Sequence, residues 1–164
     1  IPFTKKPVAL QFDYKVKMSD RENRIRATGF SKITDVPGKD YPAAILLLQK
    51  RWEDANGNVY AKRIGTMVTY YYHSTDWKNN VTYEIMYGDI TNRPEYKAHM
   101  MRLQATESYT VNSKGESVPI HEVAWGDEND VPTHMYIQFT SSHGGAYIGS
   151  PGNTLWVDNV KLVY

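Results

Sequence analysis

The chain has no cysteine in its 164 residues. That excludes a disulfide framework and a thiolate zinc site, without fixing the compartment. It also lacks an excess of either charge, with 19 Lys and Arg against 18 Asp and Glu. A nucleic-acid partner usually demands a basic face, so this balance argues against one. No apolar run approaches the roughly 20 residues of a membrane helix, so membrane insertion of this segment is not expected, and no secretory signal opens the chain. Phenylalanine and tryptophan are scarce, four of each, against 13 tyrosines. Tyrosine joins an apolar ring to a polar tip, which suits half-exposed β faces and sugar- or protein-contact surfaces. It is also simply a good strand residue, and that is the plainer explanation.

The motifs of common catalysts are missing too. His121-Glu122-Val-Ala-Trp125 begins like a zinc-protease helix, but Trp125 stands where the second histidine must be. His73, His99, His134 and His143 have no metal-ligand spacing and read as strand or loop residues. No Glu-x-Asp-x-x-Glu places paired carboxyls on one strand face, as laminarinase-like jelly rolls do; Glu84, Glu107 and Glu122 remain as unpaired candidates. There is no Gly-x-Ser-x-Gly elbow and no phosphate loop, and Gly144, Gly145, Gly149 and Gly152 read as turn residues. The chain is therefore expected to lean away from being an enzyme. Asn80-Val81-Thr82 is an N-glycosylation sequon, which matters only in a host that uses it.

What is present reads as strand. Val8, Leu10, Phe12, Tyr14, Val16 and Met18 alternate with polar or small residues, a strict period of two with one buried face. Ala43 to Leu48 is a short continuous apolar run, expected to be a central strand covered on both faces. Asn56-Gly57 signals a hairpin into a returning strand at Val59 to Ile64. Thr66–His73, Val81–Tyr87, Tyr109–Val111, Pro119–Trp125 and Met135–Thr140 read as further strands. Ser19–Arg26, Thr34–Pro42 and Gly126–Pro132 read as loops, and Asp76–Asn80 and Asn112–Gly115 as turns. Asn92–Leu103 carries a capping Asn, a first-turn Pro and a helical spacing of Tyr96, Met100 and Leu103, which predicts a short helix. Many short strands with at most one or two short helices predict a single all-β domain, a two-sheet β-sandwich or jelly roll, over 1–164.

The last stretch, Ser141 to Tyr164, organises the rest. Leu155 and Val157 hold one strand phase; Val160, Leu162 and Tyr164 hold the other. A period-two pattern changes phase only through an extra residue, so a β-bulge is expected near Asp158-Asn159 in a buried closing strand. The opening strand should lie beside it. Asp158 either ligates a structural calcium with nearby carbonyls or bonds N–H groups freed by the bulge, the latter being favoured because no second ligand is evident. A chain ending on Val-Tyr without a polar tail reads as tied down, and Ile1 almost directly before a strand reads as the start of a processed or excised segment.

The terminal Gly-Ser-Pro-Gly-Asn-Thr-Leu-Trp-Val-Asp-Asn-Val-Lys-Leu-Val-Tyr resembles the closing strand of jelly-roll carbohydrate-binding modules, where a glycine loop leads into Leu-x-Val-Asp-Asp/Asn-Val-x-Leu. Thr140-Ser141-Ser142-His143-Gly144-Gly145 resembles the Ser-Ser-x-x-Gly before it, and Lys6-Pro7-Val8-Ala9-Leu10 with Tyr14-Lys15 resembles the family's opening, though Phe12-Asp13 stands where Gly is frequent. Trp77 ahead of Val81-Thr-Tyr-Glu-Ile85 resembles its mid-domain tryptophan. Together these resemble a carbohydrate metabolism domain of Bacteroides-type secreted or surface proteins. The resemblance implies a jelly roll, a polysaccharide or glycan partner, and an extracellular, cell-surface or periplasmic location.

Sugars offer apolar C–H faces to aromatic rings and hydroxyls to planar polar groups. Trp77, Trp125, Trp52 and Tyr72 are therefore the stacking candidates, with Gln138, His134 and Arg51 as polar ones. Trp77 is first choice, because polar residues surround it. A non-catalytic carbohydrate-binding module is the leading expectation; a glycan-active hydrolase and a structural or adhesion domain are the alternatives.

Overall fold

The computed structural model describes residues 1–29, 32–104, 108–127 and 129–164. Among them are twelve strands: β1 Ala9–Lys17, β2 Arg24–Thr28, β3 Lys32–Val36, β4 Ala43–Glu53, β5 Val59–Tyr70, β6 Thr75–Glu84, β7 Met86–Tyr87, β8 Tyr109–Val111, β9 Ser117–Trp125, β10 His134–Thr140, β11 Ile148–Gly149 and β12 Thr154–Val163. The fold is an all-β sandwich. One sheet has the order β12-β1-β6; the larger has β10-β4-β5-β9-β8, with β7 also on β5; a small third sheet is β11-β2-β3. Pairing is antiparallel except between β5 and β9. No helix among the described residues is long and apolar enough to cross a membrane.

The core lies between the two larger sheets. Leu10, Phe12 and Val16 of β1 meet Ala44, Leu46 and Leu48 of β4, Ile64 and Met67 of β5 and Met135 of β10. Phe12 is fully buried, with Phe139 edge-on at 5.0 Å and Tyr83 stacked at 5.2 Å. β4 is covered on both faces, as its unbroken apolar run requires.

Bulges set the register. Between β1 and β12, Gln11 pairs with Lys161 and Asp13 with Asp158, so β12 holds one extra residue, with Asn159 at φ 52°. This is the expected phase change, and Leu155, Val157 and Leu162 consequently all pack on the core. On the other side of β1, Phe12 pairs with Val81 and Tyr14 with Lys78, so β6 also holds an extra residue, with Asn80 at φ 53°. Asp13 clamps both: its Oδ1 accepts the Asn80 N–H at 2.6 Å and its Oδ2 the Asn159 side-chain amide at 2.7 Å. A third bulge, between β4 and β5, pairs Leu48 with Gly65 but Gln49 with Arg63. It turns Ile64 into the core and Arg63 to the opposite face.

Several expectations are corrected. β12 is paired with β1 and ends its sheet, half-exposed rather than a buried closing strand. The turn expected at Asp76–Asn80 is part of β6, whose extra residues let a polar, Trp-containing stretch remain paired. The loops at Ser19–Arg26 and Thr34–Pro42 contain the start of β2 and the end of β3, mostly exposed strands with no apolar alternation to betray them. The helix expected over Asn92–Leu103 is reduced to one 3-10 turn, Ala98–Met100, with no side-chain cap and no buried residue; a segment without a face to bury gains little from helical propensity alone.

Candidate functional site

The face of the large sheet turned away from the core carries the candidate site. Pairing of β10 with β4 sets His134 opposite Gln49, Tyr136 opposite Leu47, Gln138 opposite Ile45 and Thr140 opposite Ala43. Because Met135, Ile137 and Phe139 point inward, these four β10 residues form a row on the outer face. A groove of about 460 Å³ opens over Tyr136, Gln138 and Thr140, lined also by Tyr70, Ser142 and His143; among the described residues its lining has no Asp, Glu, Lys or Arg. The Tyr136 hydroxyl donates to Gln138 Oε1, and burial pushes the Tyr136 phenol up. At one end of the groove Tyr70 lies between two imidazoles, His99 at 4.8 Å and His143 at 4.9 Å. Tyr41 stacks on the far side of His143, and buried Asp40 accepts the His143 and Ser150 N–H groups at 3.0 Å each.

At the other end of the row, Arg51, Trp52, Glu53 and His134 line a pocket of about 240 Å³. Behind it sits a buried polar chain. Arg63, 1% exposed, donates through Nε to Glu122 Oε1 at 2.8 Å and through Nη2 to Glu122 Oε2, and through Nη1 to the Met101 carbonyl. Gln49 donates to Glu122 Oε1 at 2.7 Å and accepts from Arg51 Nε at 2.8 Å. Burial pushes Glu122 up, but Arg63, Gln49 and the Gln104 N–H outweigh it, so the carboxyl sits below its usual range. Burial, and then the Arg51 charge, push His134 down.

The sequence candidates thus separate. Arg51, Trp52 and His134 meet in one pocket, and Gln138 lies in the adjoining groove. Tyr72, 48% exposed, belongs to a third pocket of about 390 Å³ with Glu84, Glu95 and His99. Trp77 is 47% exposed on β6 of the other sheet, and among the described residues no ring stacks on it. Trp125 is half-buried with its ring 5.5 Å from the Arg63 guanidinium. Glu122 is bound up in the buried chain, and Glu107 lies outside the described residues. Asp158 Oδ1 accepts the Asn159 N–H at 2.8 Å, which is the bulge role. Among the described residues no three His, Cys, Asp or Glu side chains gather as metal ligands.

Sequence reading missed Tyr136, Thr140, Tyr70 and His143. For the first two the signal was there: the inward phase of Met135, Ile137 and Phe139 leaves Tyr136, Gln138 and Thr140 on one outer face. For Tyr70 and His143, only the tertiary fold brings the positions together. Compared with family models, curated proteins and solved structures, the chain matches none.

Proposed function

We propose that this chain is a non-catalytic carbohydrate-binding module of a secreted or surface glycan-processing system, of the Bacteroides type its end motifs resemble, and that an extended glycan lies along the outer face of β10 and β4. The observation that carries this is the row His134–Tyr136–Gln138–Thr140, the last three of which line an open groove. Six residue steps span about 20 Å, longer than one sugar ring. Tyr136 supplies a face for sugar C–H groups, while Gln138, Thr140, Ser142 and His143 supply donors and acceptors for hydroxyls. Affinity should be modest, because hydroxyls give up water on binding.

A glycan array followed by calorimetry tests this. Tyr136→Ala should weaken binding by roughly tenfold or more, about 1.4 kcal/mol, with an unchanged melting temperature, whereas Trp77→Ala should bind as the parent does. A blank array overturns the proposal. A glycan-active hydrolase is the alternative, favoured by Glu84 and Glu95 lining one pocket; release of reducing ends, lost in Glu84→Gln, would establish it. For a structural calcium, the less favoured reading of Asp158, Asp13 is the register partner and the nearest second carboxylate on the opposing strand. Calcium added after chelation should raise the melting temperature if an ion binds the native state there; no shift leaves Asp158 with the bulge alone.

A further inference from the structure

We propose that the Arg51–His134 corner is an anion subsite at one end of the β10 groove, taking the carboxylate or sulfate ester of an acidic sugar, an inference that rests on the glycan-binding proposal above. A guanidinium has five N–H donors, and one of Arg51's is accounted for, Nε to Gln49 Oε1 at 2.8 Å. Among the described residues no hydrogen bond or ion pair engages its Nη atoms. The reason lies in the chain behind it. Glu122 must accept from Gln49, so the Gln49 amide nitrogen faces inward and its oxygen faces Arg51. Glu122 is already matched by Arg63, one negative charge against one positive. Arg51 is therefore held rigidly through Nε, half-buried, with its own charge unmatched and its planar Nη pair left for a ligand. That fork fits two oxygens of a carboxylate or sulfate side by side.

The surroundings agree. His134 approaches the same pocket, with Thr133 Oγ1 2.8 Å from its Nδ1 and no partner for Nε2 among the described residues. The carboxylate among the described residues of the lining, Glu53, is taken by the Ser113 N–H at 2.9 Å and the Ser113 hydroxyl at 2.6 Å and makes no ion pair with Arg51. Thr110 adds a hydroxyl to the lining, while the Trp52 ring stacks on its cross-strand partner Tyr60 at 5.9 Å. Among the described residues the groove has no charged lining, so the charge they offer a ligand lies at this end.

The test is calorimetry on the full chain with three oligosaccharides of equal length: an oligogalacturonide, its methyl ester, and a neutral backbone carrying sulfate esters. The free acid should bind at least tenfold more tightly than the methyl ester. Arg51→Gln should erase that preference while leaving methyl-ester affinity within twofold, and Tyr136→Ala should weaken both ligands alike. Should Arg51→Gln fail to fold, His134→Gln, which leaves the Gln49 contact intact, should reduce the same preference severalfold. Sulfate-ester binding that also depends on Arg51 extends the subsite to both anions; its absence restricts it to carboxylates. A methyl ester that binds as well as the acid, or an acid preference intact in Arg51→Gln, overturns the anion subsite and leaves the glycan groove standing. No binding by any of the three, together with a blank array, overturns the groove as well.

Discussion

Glu122 is the residue on which the site's rigidity turns. It sits in a buried ion pair, which is weak support for stability as a pair but costly to halve, because the survivor is left charged without solvent. Glu122→Gln should therefore lower stability by about 3–5 kcal/mol, seen as a lower urea midpoint with unchanged slope. The double change Arg63→Met with Glu122→Leu should recover much of that, since no buried charge remains. It should still disturb Arg51, because Gln49 would then be free to turn its amide either way. A double variant no more stable than Glu122→Gln would mean that the contacts to Met101 and Gln104, rather than the charge balance, hold this region together.

At the scale of strands, the bulges decide which side chains reach which face. Asp13 joins two of them, and the Asn159 amide, followed by the Asn80 N–H, holds its carboxyl below the usual range. A folded value below the unfolded one means that Asp13 contributes stability above roughly pH 4 and loses it as the pH falls through the lower folded value. Asp13→Asn should melt at a lower temperature at pH 7 and show a shallower fall in melting temperature below pH 4. Identical acid profiles for the two proteins would remove Asp13 from the clamp. These devices also explain what could be read from the sequence. β1 and β10 were legible because their apolar phase is unbroken, β4 because its first six residues are all apolar, and the bulge at Asn159 because apolar residues on both sides of it changed phase. The bulge at Asn80 lies among polar residues, and the one at Ile64 is hidden in a run where both phases are apolar, so neither left a mark. Of the site, Arg51, His134, Trp52 and Gln138 were nameable from chemistry alone. That three of them share one pocket depends on the pairing of β10 with β4, which sets His134 opposite Gln49 and which no local pattern in the sequence specifies.

For the whole molecule, the sandwich joins distant parts of the chain. Ala9 lies opposite Val163, and the Val8 N–H reaches the Val163 carbonyl at 2.7 Å. The other neighbour of β1, β6, is itself some 70 positions away. Such pairings order long loops before any contact rewards them, which slows folding. A ribosome releases β1 first among these strands and β12 last. Until β12 follows, Leu10 and Phe12 lack the strand that closes their sheet, and an open edge awaits whatever strand comes near. The β12-β1-β6 sheet cannot be completed piece by piece as the chain emerges; it closes only once its last strand is out.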